Sequence, residues 1–138
     1  MKTFGSFLLV ICVCVCGCEP AAKLVPVTGQ VTVSGKPASG AIIMFHPEDE
    51  TQAVASGVAD AEGKFKLVSG GESGLMIGRY KVTVIWPDPS KKPTEQQIMM
   101  GTADVGPDLL KGKYALRDKT SLTTEITEST AALAPFEL

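Results

Sequence analysis

The sequence predicts an all-β sandwich. Six or seven short segments alternate apolar and polar residues with period two. Turn residues recur between them at roughly 8–12-residue intervals. No stretch keeps a helical period long enough for a long helix. An open barrel is the alternative closure of the same strands.

The chain opens with a different pattern. Lys2 gives a lone positive charge, Phe7 to Cys16 an apolar run, and Val15-Cys16-Gly17 lead up to Cys18. The apolar stretch Phe4–Cys18 is about 15 residues, short of the roughly 20 that a spanning helix needs. The arrangement resembles a bacterial lipoprotein signal peptide. That resemblance implies removal of residues 1–17 and acylation of Cys18, which then becomes the mature N-terminus. Two or more acyl chains make attachment effectively permanent. Glu19 stands where an inner-membrane retention signal usually has aspartate, which implies an outer-membrane location facing the periplasm or the surface. An ordinary cleaved secretory signal is the competing reading.

All four cysteines lie at 12, 14, 16 and 18: Cys12, Cys14 and Cys16 would leave with the leader, and Cys18 would carry the anchor. The mature body therefore has no disulfide framework, thiolate zinc site or cysteine nucleophile. Loss of Lys2 with the leader leaves 12 basic against 15 acidic residues, a charge of −3 where the full chain has −2. A mildly acidic domain does not suit a nucleic-acid surface. The remaining length fits one domain.

Residues 18–26 read as a short tether, and 27–138 as the domain. Val27, Gly29, Val31 and Val33 alternate with polar residues in the first strand, which Ser34-Gly35-Lys36-Pro37 turns. Ala41 to Phe45 is the second strand, ended by His46-Pro47, and Glu48-Asp49-Glu50 is a charged loop. Ala53 to Ala59 is a weaker strand. Asp60-Ala61-Glu62-Gly63 is a tight hairpin turn into Lys64-Phe65-Lys66-Leu67-Val68. Gly78 to Trp86 is the clearest strand, with Tyr80, Val82 and Val84 on one face.

Residues 87–121 break the pattern. They are rich in Pro, Lys and Asp and have no clean period. Thr94 to Met100 reads as a short helix capped by Thr94, and Leu109 to Leu116 as another turn of helix or irregular chain. So long a segment in a compact domain is functional or disordered. Leu122 to Thr127 alternates again, and Phe136-Glu137-Leu138 closes the chain as a final strand.

These strands carry a family resemblance. Val27 to Pro37, with Gly29, Val31, Gly35 and Pro37, resembles the opening of carboxypeptidase regulatory-like domains. Gly40-Ala41-Ile42-Ile43-Met44-Phe45, Asp60-Ala61-Glu62-Gly63-Lys64-Phe65 and Gly78-Arg79-Tyr80-Lys81-Val82-Thr83-Val84 are similar to its later strands. The resemblance covers Val27 to Trp86. Small bacterial lipoproteins that carry this domain alone are similar in the later part, at Lys113-Tyr114 and the Phe136-Glu137-Leu138 end. It implies a seven-stranded transthyretin-like (immunoglobulin-like, Greek-key) sandwich used as an accessory or adhesion module. The fold's enzymatic branch, the hydroxyisourate hydrolases, needs more than one histidine and a Tyr-Arg-Gly-Ser ending. This chain has only His46 and ends in Phe136-Glu137-Leu138.

The candidate chemistry is sparse. A lone His46 cannot assemble a metal site or a triad without distant acids. Gly71-Glu72-Ser73-Gly74 lacks one residue of a nucleophile elbow. Gly57 to Lys64 has five residues between its glycines where a phosphate loop has four. Asp60 with Glu62, and Glu48-Asp49-Glu50, fit turn chemistry better than a calcium loop. The best candidates for partner contact are Trp86, Met99, Met100 and Tyr114, because aromatic and methionine side chains are common at recognition surfaces. The expectation is a non-catalytic, lipid-anchored envelope protein that needs no cofactor. It would be a structural or protein-binding module, with the membrane and an envelope protein as partners. The alternative is carbohydrate binding to a polysaccharide through Trp86, Tyr80 and Tyr114.

Overall fold

Alternation sorts the side chains, and backbone pairing sorts the strands into two sheets. The computed structural model describes residues 23–102, 104 and 106–138. The leader, Cys18 and most of the expected tether lie outside the described residues. Among the described residues there are ten strand segments: β1 (Thr28–Val33), β2 (Lys36–Pro37), β3 (Ile42–Pro47), β4 (Ala55–Val58), β5 (Lys64–Lys66), β6 (Val68–Ser69), β7 (Glu72–Ser73), β8 (Gly78–Ile85), β9 (Thr123–Ile126) and β10 (Phe136–Glu137). A large antiparallel sheet has the order β7-β6-β4-β3-β8-β9. In the small sheet β1 is central. It pairs with β10 in parallel on one edge and with β5 and β2 antiparallel on the other.

The inward residues follow the predicted alternation. Val31, Ile43, Phe45, Phe65, Leu67, Tyr80, Val82, Val84 and Ile126 are all buried. Phe45 is the hub between the sheets. Its ring lies 6.3 Å from Phe65, 6.1 Å from Tyr80 and 6.3 Å from Phe136. Tilted and edge-on pairs of this kind add about 0.5–1.5 kcal/mol each beyond area burial.

Three features differ from the expectation. First, the turn at Asp60–Gly63 forms, but β4 and β5 enter opposite sheets. Asp60 Oδ1 accepts from the backbone N–H of Glu62 at 3.0 Å and of Lys64 at 2.8 Å. Gly63 has φ 74°, and a Cβ there would run into the Val31 carbonyl. Leu67 N–H still donates to Val27 O, just ahead of β1, at 3.3 Å, and the chain rejoins the large sheet at Val68, which pairs with Ser56 of β4. Alternation assigns a face to each residue, not a sheet to each strand, so the crossing is invisible to it.

Second, the body begins before Val27. Val25 is buried and exchanges backbone hydrogen bonds with Leu75, at 2.8 and 3.1 Å. Third, the unpatterned segment divides in two. Residues 108–122 lie along β8 beyond the reach of β9. Leu109 N–H donates to Trp86 O at 2.8 Å, Val84 N–H to Tyr114 O at 3.0 Å, and Val82 N–H to Leu122 O at 2.9 Å. The Thr120 hydroxyl donates to Val82 O at 2.7 Å. This strap is irregular rather than helical, and it satisfies an edge that would otherwise stay open.

The register also fixes two ends. Pro47 pairs with Tyr80 near one end of the large sheet, and β1 runs back to Val25 on that side. Ile42 pairs with Ile85 at the other end, about 17 Å away along the strands. Residues 87–107 leave from this second end.

Candidate functional site

The excursion at 87–107 is closed at its neck. Pro87 and Asp108 form an antiparallel bridge, and Asp88 N–H donates to Pro107 O at 3.1 Å. Asp108 organises the closure. Its Oδ1 accepts from the N–H of Trp86 and of Leu110, both at 2.9 Å, and its Oδ2 from Gly112 N–H at 2.9 Å. Trp86 is half-buried against the core, and its Nε1–H donates to Ser39 O at 3.0 Å.

Beyond the neck, Asp88 caps a 3₁₀ turn at Pro89–Lys91 by accepting from Ser90 N–H at 2.9 Å and Ser90 Oγ–H at 2.7 Å. These bonds hold its carboxyl below the usual carboxylate range. Next comes α1 (Glu95–Met99), in which no residue is buried. Five residues do not hold a helix in water unaided. Here the two caps do so. Thr94 Oγ1 accepts from Gln97 N–H at 3.3 Å, and Gln97 Oε1 accepts from Thr94 N–H at 2.8 Å, a reciprocal capping box. At the far end Gly101 N–H donates to Ile98 O and Thr102 N–H to Gln97 O, the paired bonds of a Schellman motif.

The helix is therefore formed by polar local bonds, and its apolar side chains stay uncovered. Ile98 is 58 % exposed, Met99 87 % and Met100 68 %. Met99 and Met100 thus sit together at the tip and Trp86 at its neck. Tyr114 does not join them: it belongs to the strap and is 7 % exposed, with the Lys113 Nζ 4.8 Å above its ring. Ile98 and Asp108 were missed in the sequence. The run Thr94-Glu95-Gln96-Gln97 ahead of Ile98-Met99-Met100-Gly101 is a legible signal for Ile98. Nothing local marks Asp108, whose partners are set by the neck.

The remaining candidates resolve into structural roles. His46 Nε2 lies 3.0 Å from Thr83 Oγ1 on the outer face of the large sheet. Burial, and secondarily the Arg117 guanidinium, hold its imidazole below its ordinary pKa of 6.5. Arg117 donates to Pro47 O at 3.2 Å. Asp49 accepts from both N–H and hydroxyl of Thr51, which lowers its pKa. Gly71 to Gly74 hold β7, which folds back on β6, and Gly57 to Lys64 span the crossing turn. Among the described residues, no three His, Cys, Asp or Glu side chains converge for a metal. Tyr80 is 1 % exposed, with its hydroxyl 2.9 Å from Gln52 Oε1 and 2.8 Å from Met76 O, and burial raises its pKa. With Tyr80 and Tyr114 buried, the aromatic platform expected for a polysaccharide is reduced to Trp86.

A trough on the small sheet was not anticipated. An open trough of about 620 Å³ crosses the small sheet, between Lys64 and Lys66 on one side and Leu133 and Pro135 on the other. Among the described residues, no helix is long and apolar enough to cross a membrane.

No protein-family model matches the chain, and no curated protein matches it. Among solved structures, the chain is similar over its whole length to part of a 9R-lipoxygenase from Cyanothece PCC8801. The identity is 14 % and the TM-score 0.41. The chain spans 18 % of that enzyme. A likeness this distant decides neither family nor activity.

Proposed function

We propose that this protein is a non-catalytic, lipid-anchored envelope module that presents the 87–107 tip to a protein partner. Acyl groups on Cys18 hold it in a membrane, the outer one by the reading of Glu19. Its body is a seven-stranded Greek-key sandwich of the carboxypeptidase regulatory-like, transthyretin-like kind. Two features support that finer reading. β5 and β6 count as one strand bent at Leu67, and β2 and β7 are two-residue returns, which leaves seven strands. The order β8-β3-β4-β6 in the large sheet matches the 4-1-2-3 order of a Greek key.

The observation that carries the binding role is the exposed Ile98-Met99-Met100 cluster on a doubly capped helix. Flexible, polarisable methionines on an otherwise polar excursion fit an adaptable docking surface. The test is photo-crosslinking in the protein's own cells, with a photoreactive residue in place of Met99 and, as control, in place of exposed Leu116 in the strap. A discrete protein adduct from position 99 alone is expected. With the photoreactive residue kept at position 99, replacing Ile98 and Met100 by Ser should abolish capture and leave stability within about 0.5 kcal/mol, because both side chains are exposed. Equal adducts from both positions, or none from either, would sink the reading.

A further inference from the structure

We propose that the outer face of the small sheet is where the body rests on its membrane, with anionic lipid headgroups seated in the trough beside Lys64 and Lys66. The inference rests on the anchored reading above. The first reason is reach. Val25 is already hydrogen-bonded to Leu75, so only the six residues 19–24, seven Cα steps, separate Cys18 from the body. An extended chain of that length covers at most about 25 Å, which keeps the body near the headgroup layer.

The second reason is the direction in which the side chains point. Thr28 pairs with Lys66 and Gln30 with Lys64. Their neighbours Val27, Val31 and Phe65 are buried between the sheets, so alternation turns Thr28, Gln30, Lys64 and Lys66 outward. Both lysines are exposed, and at i, i+2 they stand about 7 Å apart along one strand.

The third reason is charge. Lys64 and Lys66 face one carboxylate in the lining of the trough, Asp60, whose Oδ1 accepts from the backbone N–H groups of Glu62 and Lys64, so the lining keeps an excess of positive charge. The end of the large sheet on the Val25 side carries Glu48, Asp49 and Glu50 after β3. An anionic surface repels that end and attracts the lysine face, so the body lies over on the small sheet. Leu133 and Pro135 give the trough an apolar wall, which suits the boundary between headgroup and acyl chain.

The test uses the acylated protein, extracted from its own membranes and reconstituted into vesicles of phosphatidylcholine alone or of phosphatidylcholine with phosphatidylglycerol. After flotation, the lysines are labelled with an amine-reactive reagent and read by peptide mass spectrometry. Lys64 and Lys66 should label about fivefold more slowly on the anionic vesicles, the effect expected of one basic residue at such a surface. Lys81, on the outer face of the large sheet, should label equally on both. High salt should erase the difference. Protein that floats but labels equally at Lys64 and Lys66 on the two vesicles overturns the proposal. Protein that does not float overturns the anchored reading and the proposal with it.

Discussion

Residues 87–107 and 108–122 look alike in sequence and are built in opposite ways. Both lack period, and both are rich in charge and turn residues. The first stretch makes its bonds to itself, through the Asp88 cap, the Thr94–Gln97 box and the Gly101 turn, and leaves Ile98, Met99 and Met100 in solvent. The second makes its bonds to β8 and buries Tyr114. Local bonding leaves side chains available for a partner. Long-range bonding uses them in the core.

Substitutions in the strap should therefore cost stability, and those in the tip should not. Tyr114→Ala carries the largest expected effect. It empties a buried aromatic site under β8 and should lower the free energy of unfolding by about 3 kcal/mol, read from urea denaturation. A loss as small as that of the tip variant would erase the contrast. Asp108→Ala comes next. Three backbone N–H groups lose one carboxylate, and the expected loss is about 2 kcal/mol. Amide exchange should quicken at Trp86, Leu110 and Gly112 before it does in β3. Unchanged exchange there would mean that the neck does not depend on Asp108.

The smallest effect concerns His46, beside the strap residue Arg117. Its native pKa is lowered, so the unfolded chain takes up the proton first. Its contribution is complete above about 6.5, the ordinary value, and is lost as pH falls through that value towards the lowered native one. His46→Gln should flatten the fall in the urea midpoint over that window. Arg117→Ala should flatten it partly, since burial is the larger cause. Identical slopes in all three proteins would show that other groups set the pH dependence.

Much of the body was legible because one face of each strand is apolar. Val31 in β1, Phe45 in β3 and Tyr80, Val82 and Val84 in β8 all fall where period two puts them. Thr94 was legible as a cap because its partner stands three residues on. Other features were not, for a common reason: they depend on neighbours distant in sequence. Val25 enters the fold only through Leu75. Tyr114 reads as a contact residue because it is an aromatic in an aperiodic, lysine-bearing segment, and only β8 shows that it is buried. Lys64 and Lys66 form one wall of a trough only because β1 lies between them and Leu133.

The central place of β1 has a consequence in time. The hydroxyl of Thr28 donates to Ala131 O, 103 positions away, and Val31 pairs in parallel with Phe136. A chain emerging from its N-terminus makes β1 among the first strands and the segment that covers its open edge last. Contacts of such separation slow folding towards the millisecond-to-second range. During that interval β1 is an uncovered strand edge, the kind of surface on which chains aggregate or recruit chaperones.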